Sequence, residues 1–152
     1  DNFLGKHGKL FGINSVKSEL KLLKNNQDNI GFTQIRYQQL YKGIPVYGAD
    51  IVGNVNKEGE LRSVNGRIIP NLSVNTTPVL TTTEASDIAL GELKAELNSD
   101  DSPNSQDMSV NSMTLVIFDP SISEDRPGAS HLAYKIRVTS SNMAKDVFVD
   151  AE

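Results

Sequence analysis

From residue 33 the chain alternates. Thr33, Ile35, Tyr37 and Gln39 take one parity, and Gln34, Arg36, Gln38 and Leu40 take the other. A period of two belongs to a half-buried β-strand, whose successive side chains point to opposite faces. In "YKGIPVYG" the alternation is interrupted by Gly43 and Pro45, and Pro45 has no N–H for a ladder, so a bend or bulge is expected there. The strand pattern resumes over 49–56, Gly59 supplies a tight turn with positive φ, and 61–69 runs back. Residues 32–70 therefore read as a meander of long antiparallel strands that needs cover on one face. Upstream, "FLGKHGKLFGI" reads as the tail of a short helix followed by a turn. Residues 18–24 fit a helix or a strand, because so short a run does not separate the two periods.

Further on, Pro70 and Pro78 among Asn, Ser and Thr residues make 71–82 a polar linker. A helix is expected over 84–97, with Thr83 as its N-cap and with Glu84 and Asp87 in the first turn, where carboxylates suit the helix dipole. Its apolar stripe is Ala85, Ile88, Ala89, Leu93 and Leu97. The helix ends in "NSDDSPNSQD", which has loop composition, and three strand-like runs follow: "MTLVIFD", "HLAYKIRVTS" and "KDVFVDAE". The fold class expected is α+β, with two small lobes, each an antiparallel sheet with a helix packed on it. The lobes cover 1–70 and 83–152, with 71–82 between them.

Composition narrows the function. The apolar share is 38%, which suits two thin cores better than one dense core, and the net charge is -4 with scattered basic residues, which argues against nucleic acid as a partner. No apolar run approaches the roughly 18 residues that cross a membrane. No signal sequence is read at Asp1, so an exported chain is expected to have lost its leader. Cysteine is absent, which excludes disulfides, thiolate metal sites and cysteine nucleophiles.

Candidate chemistry is sparse. His7 and His131 lie far apart, and neither has a second ligand at helical spacing, so no zinc site is read. Ser130 and His131 with Asp125 nearby invite a triad, but sequence neighbours on a strand point to opposite faces, and a half-exposed strand histidine is the preferred reading. Glu84, Asp87, Glu92 and Glu96 read as the solvated face of a helix rather than an acid–base cluster. "DDSPNSQD" lacks the glycine and the terminal glutamate of a calcium loop. "NVNKEGELRSVNG" has two glycines but no strand-to-helix context for a phosphate. A non-catalytic chain with no cofactor is expected.

Residues 32–70 resemble the propeptide motif that precedes thermolysin-like and fungalysin-like secreted metalloproteases. The resemblance is carried by Arg36, Tyr37, Gln38, Gln39, Tyr41, Lys42, Gly43, Ile44, Pro45, Val46, Tyr47 and Gly48 in order, then by Gly59, Leu61, Asn65 and Gly66. "TTTEASDIAL", "HLAYKIRV" with Tyr134, and "KDVFVDAE" are similar to the helix-plus-sheet PepSY-type module that follows in such precursors. The resemblance implies a prosegment, secreted as part of a precursor, that assists folding of its protease and inhibits it. The implied partner is the catalytic domain of the cognate metalloprotease, with no nucleic acid and no membrane. Motif and partner-contact candidates are Arg36, Tyr37, Gln39, Tyr41, Gly43, Pro45, Val46, Gly48, Gly66 and Tyr134. No His-Glu-x-x-His occurs, so the catalytic domain is expected outside these residues and the processing junction beyond Glu152. Two other readings fit the same residues: a free-standing inhibitor, and a carbohydrate or surface-polymer module using Tyr37, Tyr41 and Tyr47 as a platform. For those tyrosines structural packing is the preferred role.

Overall fold

The computed structural model describes residues 2–98, 107–124 and 126–152. In chain order the elements are α1 (Asn2–His7), a 3₁₀ turn (Gly8–Phe11), α2 (Val16–Glu19), β1 (Leu20–Gln27), β2 (Thr33–Tyr41), β3 (Ile44–Val55) and β4 (Leu61–Gly66). They continue with α3 (Thr82–Asn98), β5 (Ser109–Phe118), α4 (Pro120–Ser123), β6 (His131–Thr139) and β7 (Ala144–Asp150). Helices and strands together give an α+β fold. The chain divides into two compact units: Asp1–Ser73 with Ile117–Ser130, and Val74–Val116 with His131–Glu152.

In the first unit β1, β2, β3 and β4 form an antiparallel meander. Its inner face carries the cross-strand pairs Tyr37↔Ile51, Ile35↔Gly53 and Gly53↔Val64, and a core of Leu4, Ile13, Leu20 and Ile51 packs with Phe3, Val16, Tyr37, Val64 and Ile68. Residues 18–24, open between helix and strand, are divided: one helical turn ends at Glu19 and the strand begins at Leu20. The Glu19 carboxylate accepts hydrogen bonds from the N–H groups of Asn14 (3.2 Å) and Ser15 (3.0 Å), which satisfies donors at the start of that turn.

The hairpin joining β2 and β3 puts a tight turn, and a few residues later a bulge, in the stretch where a bend or bulge is expected. Lys42 (φ 49°) and Gly43 (φ 85°) form a two-residue turn with both φ values positive, the geometry that matches strand twist. Pro45 lies inside β3, opposite Leu40, and the bulge falls after it: the register passes from Gln38↔Asp50 to Leu40↔Pro45, leaving Val46–Ala49 opposite Gln39 alone.

In the second unit α3 lies against β6 and β7, which pair antiparallel. The cap of α3 is Thr81 rather than Thr83. The Thr81 hydroxyl accepts from the Glu84 N–H (3.3 Å), while the Glu84 carboxylate accepts from the Thr81 N–H (2.8 Å), a reciprocal capping box. Ala85, Ala89 and Leu93 are buried as expected, but Ile88 is 41% exposed and lies off the stripe. The stretch expected as a polar linker is partly tied down. Val74 is buried, and the N–H groups of Val79 (2.7 Å) and Leu80 (3.3 Å) donate to the Ala151 carbonyl. The "DDSPNSQD" loop lies outside the described residues except for Asp107.

Candidate functional site

The alternation of β2 is realised: Thr33, Ile35 and Tyr37 are half-buried and Gln39 is buried, while Gln34 and Arg36 are exposed. The two adjacent glutamines consequently serve opposite faces of the strand. Gln38 reaches across the bulge of β3, where its amide Nε2 donates to the carbonyls of Val46 (2.6 Å) and Ala49 (3.0 Å). It thereby takes the place of ladder bonds that the extra residues have broken. Gln39 faces the other way and pairs with the backbone of Ile69 in both directions: Nε2 to the carbonyl at 2.8 Å, and the Ile69 N–H to Oε1 at 2.9 Å.

Asp50 organises the outer face. Its Oδ2 accepts from Arg36 Nε at 2.8 Å and from a second guanidinium nitrogen, while Oδ1 is buried with no hydrogen-bond partner among the described residues. The Asp50 carbonyl accepts from the Arg67 N–H (3.0 Å), beside Gly66 (φ 148°), where an added Cβ would stand 2.0 Å from that oxygen. Arg67 then donates through Nη1 to the carbonyl of Ile122 (3.3 Å) in the last turn of α4. The buried carboxylate of Asp119 caps the start of the same helix, accepting from the Ser121 N–H (2.9 Å) and from the Ser130 hydroxyl.

That last bond removes the triad reading, since Ser130 donates to Asp119 rather than to His131; Asp125 lies outside the described residues. No group of three or more His, Asp or Glu able to hold a metal occurs among the described residues. Nor do the tyrosines make a platform. Tyr37 packs against the core, and Tyr47 stacks on Phe118 with centroids 6.4 Å apart and planes 12° from parallel. Lys42 Nζ lies 5.1 Å from the centroid of the Tyr41 ring.

Nine of the ten expected site residues, from Arg36 to Gly66, fall in the first unit. Their roles there differ. Val46 (0% exposed) and Gln39 (4%) are interior, whereas Arg36, Gly43, Gly48 and Gly66 are exposed and Tyr37, Tyr41 and Pro45 are half-buried. Gly48 (φ 73°) forms the bulge, and an added Cβ would meet Ile122 Cγ2 at 2.6 Å. Tyr134 is apart from the others, in the second unit, where it is buried and its hydroxyl donates to the Leu80 carbonyl at 2.9 Å. Sequence reasoning missed Asp50 and Arg67. The only available signal for Asp50 was an acid set between the apolar residues Ala49 and Ile51.

Residues 18–68 match the Fungalysin/Thermolysin Propeptide Motif. The match takes in the whole meander, from the end of α2 through the Gly66 crossing. The chain is 46% identical over 61 residues to the thermolysins of Alicyclobacillus acidocaldarius subsp. acidocaldarius and Bacillus caldolyticus, covering 40% of this chain and 11% of each relative. It is 34% identical over 62 residues to the bacillolysin of Bacillus cereus, again 40% of this chain and 11% of the relative. The matched stretch thus spans about a tenth of these proteins' length, and the propeptide motif is a non-catalytic segment. Within that motif Gln38 and Gln39, Gly48, Asp50 and Gly66 have the structural tasks given above.

Two carboxylates of the second unit are held below their usual range. For Asp146 the first cause is the hydrogen bond from Arg137 (3.0 Å), with Lys135 beside it; for Glu84 it is the Thr81 hydroxyl, then the Thr81 N–H. No helix among the described residues is long and apolar enough to cross a membrane.

Proposed function

We propose that this chain is the prosegment of a secreted thermolysin-like zinc metalloprotease, assisting the folding of its catalytic domain and inhibiting that domain until the two are cut apart. The match of residues 18–68 to the propeptide motif carries this reading. The fold supports it, because the outer face of the meander offers Arg36, Gln34, Asn54, Ser63 and Asn65 to a partner while the inner face is committed to a core. The second unit, one helix on a sheet, fits the PepSY-type module. A short tether gives an effective concentration on the order of millimolar, so an interface of even micromolar affinity is nearly full in the precursor and mostly empty after cleavage at nanomolar concentration.

The test is calorimetric titration of the folded chain into the mature thermolysin of Bacillus caldolyticus, with peptide hydrolysis followed in parallel. Micromolar binding with partial inhibition is expected. No binding at tens of micromolar by a folded chain rejects the reading.

A further inference from the structure

We propose that the outer face of β1–β4 docks a carboxylate-rich surface of a protein partner, through Lys21, Lys24 and Arg36. The register sets Lys24 directly opposite Arg36 and Lys21 opposite Gln38, so the three cations share one face of two adjacent strands. Like charges directly opposed on neighbouring strands lower stability. Both Lys24 and Arg36 are exposed, so their opposition gains no core packing in return. Arg36 is met by Asp50, the single carboxylate among the described residues of this face. Lys21 and Lys24 enter no ion pair among the described residues. The fold thus maintains, against its own stability, an excess of positive charge on one face of a chain whose net charge is -4.

Apart from Val52, which lies between Arg36 and Asn65, the rest of the face is polar: Asn54 Nδ2 donates to Ser63 Oγ at 3.0 Å, and Gln34 and Asn65 flank that pair. Such side chains accept the rim of a protein interface without a large apolar area to desolvate. A nucleic acid, with phosphate charge all along it, would be repelled by the acidic remainder of the chain, whereas a local acidic patch on a folded partner meets this face alone. The inference rests on the reading of the chain as a prosegment and adds the chemistry of the surface it recognises.

The test compares wild type, Lys21→Gln/Lys24→Gln, and the charge-matched control Lys9→Gln/Lys94→Gln in titrations against the mature thermolysin of Bacillus caldolyticus at low and high salt. About tenfold weaker binding and a shallower salt dependence are expected for the first variant, from two exposed charge contacts. The control should stay within about twofold of wild type. The first variant should also melt no lower than wild type, because relieving Lys24 from Arg36 removes a repulsion. Wild-type affinity and salt slope in Lys21→Gln/Lys24→Gln would overturn this surface while leaving the prosegment reading in place. Absence of binding by folded wild type would overturn both.

Discussion

The side-chain amide of Gln39 and the backbone amide of Ile69 are joined by two reciprocal hydrogen bonds, 2.8 and 2.9 Å long, 30 positions apart in sequence. The side chain acts as a one-residue strand, holding the segment that follows β4 against β2. Because Gln39 is 4% exposed, loss of its amide strands a donor and an acceptor that water reaches poorly. Gln39→Leu is expected to destabilise the first unit by about 2–3 kcal/mol. Gln39→Glu, which keeps the acceptor, should cost less near the acid end of the pH range than at neutrality. Urea unfolding at two pH values measures both.

The glycines rank by what surrounds them. At Gly66 a methyl group meets the Asp50 carbonyl oxygen at 2.0 Å, and backbone cannot yield as a side chain does. Gly66→Ala should cost about 3 kcal/mol or more. At Gly43 nothing lies within 4 Å, so Gly43→Ala meets only the left-handed backbone penalty of about 1–2 kcal/mol. Pro45→Ala, in a strand position beside a tight turn, should fall below both, and equal melting temperatures for the three variants would contradict this order.

Acid should loosen the second unit through Asp146 and Glu84. Both have folded-state pKa values below their ordinary ones, so each contributes stability above its unfolded pKa and loses it as pH falls through the lower, folded value. The loss therefore belongs below about pH 4. Asp146→Asn should be less stable than wild type at neutral pH and converge with it near pH 2 in thermal unfolding. A constant difference across that range would deny the Arg137–Asp146 interaction any part in acid stability.

Tyr134→Phe isolates one bond. Its hydroxyl donates to Leu80 at 2.9 Å from a buried ring, and the next strand end, Ala151, accepts from Val79 and Leu80. The variant should lose about 1 kcal/mol. Amide exchange at Val79 and Leu80 should quicken more than at Ile136 or Val138, which lie within β6 paired with β7.

Much of this was readable in the residues, and the failures have physical causes. The alternation from Thr33 to Gln39 separates the two faces of β2, and the structure buries the Thr33–Gln39 parity more than the other. Residue type alone does not fix the cap of α3, because Thr81, Thr82 and Thr83 offer the same hydroxyl; only the three-residue spacing to Glu84 singles out Thr81. Gly43 and Gly48 both permit positive φ, and only strand pairing decides that Gly43 closes the turn while Gly48 lies in the bulge. Asp50, Arg67 and Asp119 escaped notice since their partners, Arg36, Ile122 and Ser130, lie 11 to 55 positions away. In the same way, nothing local marks Ile117–Ser130 as part of the first unit.

The adjacent glutamines also act as a check on parity. If β2 were displaced by one residue against β3, the side chain now bonded to Ile69 would turn outward and the one now spanning Val46 and Ala49 would turn inward. The carbonyls of Val46, Ala49 and Ile69 and the N–H of Ile69 would all lose their partners, four backbone groups at once. A misthreaded strand is thus penalised on both faces together, whichever way it slips, so the dipeptide works as a two-sided error detector for the meander.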